Sequence, residues 1–331
     1  MQRVRHPLHS SSSRRLLSTS LGLNAVRAKG FFRDTPIVPG PNGGMLKLDN
    51  LQLSGSFKDR GIGYMMHQLS AQREVSRFVC SSGGNAGMAV ALAGRKLGRP
   101  VEVFVPTTTM PMMVQRLRDC GASVVVHGAN WNEADGLARR HLEEVHGAEY
   151  VPPFDHPLIW EGHSSIVEEI AEAGHRPDAI AVSVGGGGLL IGVQQGLLRL
   201  GWSDVDVLAF ETEGAASFHA AKEVGKVVRL ESITSVATSL GALAVSPVTL
   251  QSPIPTRSFV VSDAEAVDAC LSFACDYRML VEPACGAALA SVYSRRLEEE
   301  MRRYREVAVV VCGGGAVTVD LLLQWKKTLG L

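Results

Sequence analysis

From about Val101 onward, short apolar runs alternate with amphipathic stretches: VEVFVP, MMVQRLRDCG, SVVVHG and WNEADGLARRHLEEVHG. The alternation resumes as AIAVSVGGGG, LLIGVQQGLLRLG and VDVLAFE, and closes with VAVVVCGGG before TVDLLLQWKKTLG. Runs that are apolar throughout are the pattern of strands covered on both faces. The stretches between them carry the helical period, so the sheets are parallel. Between Val227 and Ile254 the pattern weakens into loops and one short helix. The fold class is therefore α/β, with two doubly wound open-sheet domains. Sheets of this kind bind ligands beyond the carboxyl ends of their strands.

Four glycine- or serine-rich segments lie at such strand ends. In SVGGGGLLIGVQQGL, an apolar strand runs into Gly185, Gly186, Gly187 and Gly188 and a helix follows. Four bare backbone N–H groups at a helix N-terminus suit a phosphate. The segment lacks the G-x-G-x-x-G spacing of a dinucleotide site and the Gly-Lys-Ser/Thr of a P-loop. A merely tight turn rarely needs four glycines. In CSSGGNAG, Ser81, Ser82 and Asn85 set hydroxyl and amide groups beside free helix N–H donors. Such a loop suits a carboxylate and a ring oxygen, whereas helix capping needs only one of these residues.

The third segment, LSGSFKDRGIG, places Lys58 after Phe57 inside a run of small residues. An isolated lysine is ordinarily a solvated charge. Joined to a phosphate cradle and a flat aromatic, it points to a Schiff base with pyridoxal 5'-phosphate. The fourth, VAVVVCGGG, ends a buried strand at Cys312. That thiol either faces the cofactor's pyridine nitrogen or fills the core. Facing the nitrogen, it would leave it unprotonated and favour β-elimination over transamination.

Composition narrows the setting. The 331 residues are 46% hydrophobic and 20% charged, with no net charge, so the chain is globular and no global field draws it to nucleic acid or an anionic membrane. No run approaches the ~18 apolar residues of a membrane span. Cys80, Cys120, Cys270, Cys275, Cys285 and Cys312 form no CxxC pair. They read as reduced core thiols of an intracellular, unsecreted protein. Residues 1–33 hold seven arginine or lysine residues and no acid before Asp34. That stretch is either a mitochondrial transit peptide or a disordered cytosolic tail. Localisation is accordingly cytoplasmic or mitochondrial.

Taken in order, SGSFK-x-RGIG, SSGGNAG, PPFDHPLIWEGH, SVGGGGLL, ITSVA, VEPACGAALA and VVVCGG closely resemble the eukaryotic L-serine dehydratase / L-threonine deaminase family. SSGGN is similar to its serine dehydratase-like branch. These are fold type II, tryptophan synthase β-like pyridoxal-phosphate enzymes, and the resemblance runs from about Met45 to the end. It implies a large cofactor domain of residues 34–56 and 155–331 and a small substrate domain of residues 57–154. It implies Lys58 as the covalent anchor, Phe57 near the ring, Asn85 on the phenolic oxygen, and Gly185–Gly188 on the phosphate. Cys312 meets the pyridine nitrogen, and the loop of Ser81, Ser82 and Gly83 takes the substrate carboxylate. It also implies a monovalent cation, usually potassium, held by the side chains of Glu211 and Ser217 and the carbonyls of Gly185, Ala215, Leu240 and Ala242.

The implied partner is a small amino acid: L-serine, with L-threonine as a second substrate. A homodimer is the common assembly, although some members of the branch are monomeric. Threonine synthase, serine racemase and a weakly active cofactor-binding paralogue are the alternatives. Three departures stand out. TPIVPGPNGGMLKLDN is shorter than its counterpart by roughly a helix. Asp59 follows Lys58, as in threonine synthases, where it would raise the lysine's pKa. Gly315 and Ala316 replace a common Ser-Asn.

Overall fold

The computed structural model describes residues 22–331. Ten strands form two sheets: β1 (Ile37–Pro39), β2 (Met45–Lys47), β3 (Arg77–Cys80), β4 (Val101–Val105), β5 (Ser123–Val126), β6 (Ala148–Tyr150), β7 (Ala179–Ser183), β8 (Asp206–Thr212), β9 (Thr256–Val261) and β10 (Val307–Val310). The larger sheet runs β1-β2-β10-β7-β8-β9 and the smaller β5-β4-β3-β6. Every pairing is parallel except β1 with β2. The α/β fold with two open sheets is thus the one the apolar runs call for.

β7 and β10 are buried at every position, as their Ala, Val and Ile content, broken only by Ser183, requires. Each valine or isoleucine among them, withdrawn from water, contributes about 1.5–3 kcal/mol. Strand edges are cheaper to leave wet: three of the four residues of β5 are exposed. Where a helix was expected between Val227 and Ile254, the chain makes two 3-10 turns, Thr238–Leu240 and Pro247–Leu250. The shortened N-terminal connection is a three-residue turn, Pro41–Gly43, joining β1 to β2.

Part of the basic N-terminal stretch is packed into the fold. Leu23, Val26, Phe31 and Phe32 are buried in the same core as Ile62, Met66 and Phe78. Arg33 and Gln52 exchange two hydrogen bonds of 2.9 and 2.7 Å. A tail or transit peptide reaching residue 33 is therefore corrected for residues 22–33. The remainder of that expectation falls on residues 1–21, outside the described residues. The cysteines also divide: Cys80, Cys270, Cys285 and Cys312 are buried, Cys120 is half-buried and Cys275 is exposed.

The helix Lys58–Gln72 starts at the mouth of the cleft between the sheets. Its third residue, Arg60, is fully buried and paired with Asp49 (2.7 Å) and Glu169, while Lys47 also pairs with Glu169. Arg60 and Lys47 hold the Glu169 carboxyl down at about 2, against the opposing effect of burial. Buried charges survive only when matched in this way.

Candidate active site

The opening motif is sewn to the end of β10. Ser56 bridges Gly313, and the Phe57 N–H donates to the Cys312 carbonyl at 3.1 Å. Lys58 is the first residue of its helix. Its Nζ donates to the Pro153 carbonyl at 2.5 Å and lies 5.0 Å from the centre of the Phe57 ring. Burial strips water from this amine and lowers its pKa from 10.5 to about 8, with Cys312 and Cys80 opposing weakly. Asp59 does not raise it: the Asp59 carboxylate instead accepts from the Ser54 N–H at 2.7 Å, and burial lifts its own pKa to about 6.

The residue after Pro153 connects the lysine to the glycine turn. Phe154 is fixed by the Trp160 indole, which donates to its carbonyl at 2.9 Å. A Cβ on Gly186 would stand 2.4 Å from three carbons of the Phe154 ring, so only glycine fits there. Among the described residues, the N–H groups of Gly185, Gly186 and Gly187 have no protein acceptor, and the helix Gly188–Leu200 begins directly beyond them. Lys58 and the tetraglycine turn thus lie against two consecutive residues, Pro153 and Phe154.

Cys312 is buried beside Cys285 and Ser183. The Cys285 thiol and burial together push its pKa well above the ordinary value, so it carries its proton at neutral pH. Asn85 opens the helix Asn85–Leu97. Its Oδ1 accepts from the Gly315 N–H at 2.8 Å, and its Nδ2 donates to both oxygens of Glu282 at 3.2 and 3.3 Å. Sequence reading passed over Glu282: it appeared only inside VEPACGAALA, and its partner is 197 residues away.

Ser81 differs from expectation. Its hydroxyl is engaged by the protein itself, 2.6 Å from Asp135 and 2.7 Å from the Tyr150 hydroxyl. Tyr150 also donates to Asp135 at 2.6 Å, and Arg139 braces the same carboxylate at 2.8 Å. The side chain of Ser81 is thus spent on bracing the loop.

Of the residues assigned to a cation, Glu211 lies against the turn that holds Ser217, and Gly185 lies against Leu240. Glu211, at the end of β8, is buried and accepts from the N–H groups of Phe218 (2.8 Å) and His219 (2.7 Å). Burial raises its pKa from 4.5 to about 8. The Ser217 hydroxyl is buried without a partner among the described residues. Gly185 packs on Leu240, a Cβ there lying 3.1 Å from the Leu240 Cα. An acid lacking a counter-charge and an orphan hydroxyl near it are oxygen donors of the kind a hard cation takes. Among the described residues no cluster of three or more His, Cys, Asp or Glu offers a softer metal site.

Residues 29–313 match the family described as "Pyridoxal-phosphate dependent enzyme", and the chain belongs to it. Within that family it is 49% identical to the L-serine dehydratase/L-threonine deaminase of Bos taurus over 295 residues, 86% of this chain and 90% of the relative. It is 47% identical to the serine dehydratase-like protein of Mus musculus, covering 92% and 97%. The crystal structure of a fungal L-serine ammonia-lyase from Rhizomucor miehei superposes with a TM-score of 0.85 at 37% identity, covering 90% of this chain and 98% of that one.

Proposed function

We propose that this protein is a pyridoxal-phosphate L-serine ammonia-lyase that also deaminates L-threonine, giving pyruvate or 2-oxobutyrate and ammonia. The observation that carries this reading is the desolvated Lys58 amine at the Pro153 carbonyl, one residue from the aromatic ring that seats the tetraglycine turn. The site fits the cofactor on two counts: unpaired N–H groups at a helix N-terminus for its phosphate, and an amine whose pKa is lowered to about 8 for its aldehyde.

Gly185–Gly188 hold the phosphate, Phe57 borders the ring and Lys58 is the covalent anchor. When bound, pyridoxal phosphate supplies an aldehyde carbon for amine exchange and a conjugated ring that accepts the electron pair of a broken Cα–H bond. Lys58 Nζ takes the substrate's α-proton, its lowered pKa placing a useful fraction in the basic form near neutrality. Cys312 presents a protonated, uncharged thiol to the pyridine nitrogen, a setting suited to loss of a β-hydroxyl. Asn85 orients the phenolic oxygen. Ser82, Gly83 and the backbone that Ser81 braces receive the substrate carboxylate.

Glu211, the Ser217 hydroxyl and the carbonyls of Gly185, Ala215, Leu240 and Ala242 would hold a potassium ion, supplying it with hard oxygen ligands. Threonine synthase is the weaker reading, because the Asp59 that suggested it serves the Ser54 backbone. The test is direct. Cofactor-loaded protein is mixed with L-serine, L-threonine and phosphohomoserine, and keto acid and ammonia are followed. Lys58→Ala with full turnover of serine would end the assignment.

A further inference from the structure

Glu282 is an acid that neither the covalent chemistry nor the phosphate cradle requires. It precedes the helix Pro283–Tyr293, is 5% exposed, and has no salt-bridge partner among the described residues. Its oxygens are filled by donors from three separate segments. Asn85 Nδ2 reaches it from the small sheet's side of the cleft. The Ala316 N–H, from the loop after β10, donates at 2.8 Å. The Ser239 hydroxyl donates at 2.5 Å.

Ser239 gives this convergence its meaning. It is the middle residue of the 3-10 turn Thr238–Leu240, and the next residue, Leu240, packs on Gly185 and lends its carbonyl to the cation site. One carboxylate therefore joins the turn next to Gly185 to the amide assigned to the cofactor's phenolic oxygen. Because Asn85 Oδ1 is occupied by the Gly315 N–H, the orientation of its amide is set by where Glu282 stands. A shift of the 238–240 turn moves Ser239, and with it the acceptor that holds Asn85 Nδ2.

We propose that Glu282 is a positioning residue that couples occupancy of the monovalent-cation site to cofactor binding, through Ser239 on one side and Asn85 on the other. This rests on the cofactor and cation assignments above. A coupling between two ligands is reciprocal and measurable as a ratio of affinities.

The test uses holoenzyme diluted into potassium chloride or into tetramethylammonium chloride. The dissociation constant of pyridoxal phosphate is read from the absorbance and fluorescence of the bound cofactor, and melting is followed in both salts. In the wild type, potassium should tighten cofactor binding by about fivefold or more, the low end of ordinary coupling. In Ser239→Ala and Glu282→Ala the ratio should fall to within roughly twofold of unity, while the potassium-dependent rise in melting temperature persists. Glu282→Gln, which keeps one acceptor oxygen, should restore part of the ratio. Ser239→Ala serves where Glu282→Ala folds poorly. An unchanged ratio in Ser239→Ala overturns the proposal. So does loss of the potassium melting shift, which would place Ser239 in the cation site itself. A wild type that binds no pyridoxal phosphate would instead sink the functional reading. One that binds it equally well in both salts sinks only the coupling.

Discussion

The lowered pKa of Lys58 makes a quantitative claim about cofactor capture. The perturbation is pH. Only the neutral amine attacks an aldehyde, and burial against the Pro153 carbonyl brings the pKa from 10.5 to about 8. At pH 7 about a tenth of the molecules then carry a neutral Lys58, against roughly 0.03% for an ordinary lysine, a gain of ~300-fold. The assay is the rate at which cofactor-free protein becomes covalently loaded, read by absorbance between pH 6 and 10. The rate should climb about tenfold per unit at low pH and level off near 8. A rate still rising tenfold per unit at pH 9 would refute the desolvation argument, because the amine would then be titrating like one in water. Linkage gives a second check. The unfolded chain keeps its lysine proton up to 10.5 and the native chain loses it near 8, so this group makes cofactor-free protein more stable as pH rises across that window. Below it the penalty of burying a charged lysine is complete, and Lys58→Met should be stabilising there.

Three further outcomes follow from the geometry. Gly186→Ala, which drives a Cβ to 2.4 Å from the Phe154 ring, should weaken cofactor retention at least tenfold in equilibrium dialysis, about 1.4 kcal/mol, with little change in circular dichroism. Arg60→Met leaves Asp49 and Glu169 short of their shared cation and should cost about 3–5 kcal/mol in a urea titration, and a smaller loss would show the network to be mostly solvated. Tyr150→Phe removes one donor from Asp135 and a partner from Ser81; KM for serine should rise several-fold while cofactor absorbance stays the same, and unchanged KM would detach that network from substrate binding.

Features imposed by the backbone were legible in the chain itself. The apolar runs of β7 and β10 are buried throughout, and the four glycines stand where unpaired N–H groups and an aromatic ring leave no room for side chains. Features set by contact between distant segments were not. Glu282 has no local mark that separates it from a helix-capping acid. Ser81 has the right type and position for substrate, but its rotamer is decided by Asp135 and Tyr150, 54 and 69 residues away. The basic composition of the first 33 residues hid Leu23, Val26, Phe31 and Phe32, whose burial depends on a neighbouring helix. Asp59 read as a modifier of Lys58 because it is adjacent in sequence, whereas its carboxylate turns back to the Ser54 N–H.

The helix that begins at Lys58 leads into the smaller sheet, yet its first turn is clamped to the other half of the molecule. Arg60 is knotted to Asp49 and Glu169, and Gly61 and Gly162 bring two helical backbones into direct touch, each Cβ position lying within 2.6 Å of the opposite main chain. The position of the Lys58 nitrogen is thereby inherited from the larger sheet's framework, so loosening Arg60 or Gly61 would misplace it without touching any side chain around it.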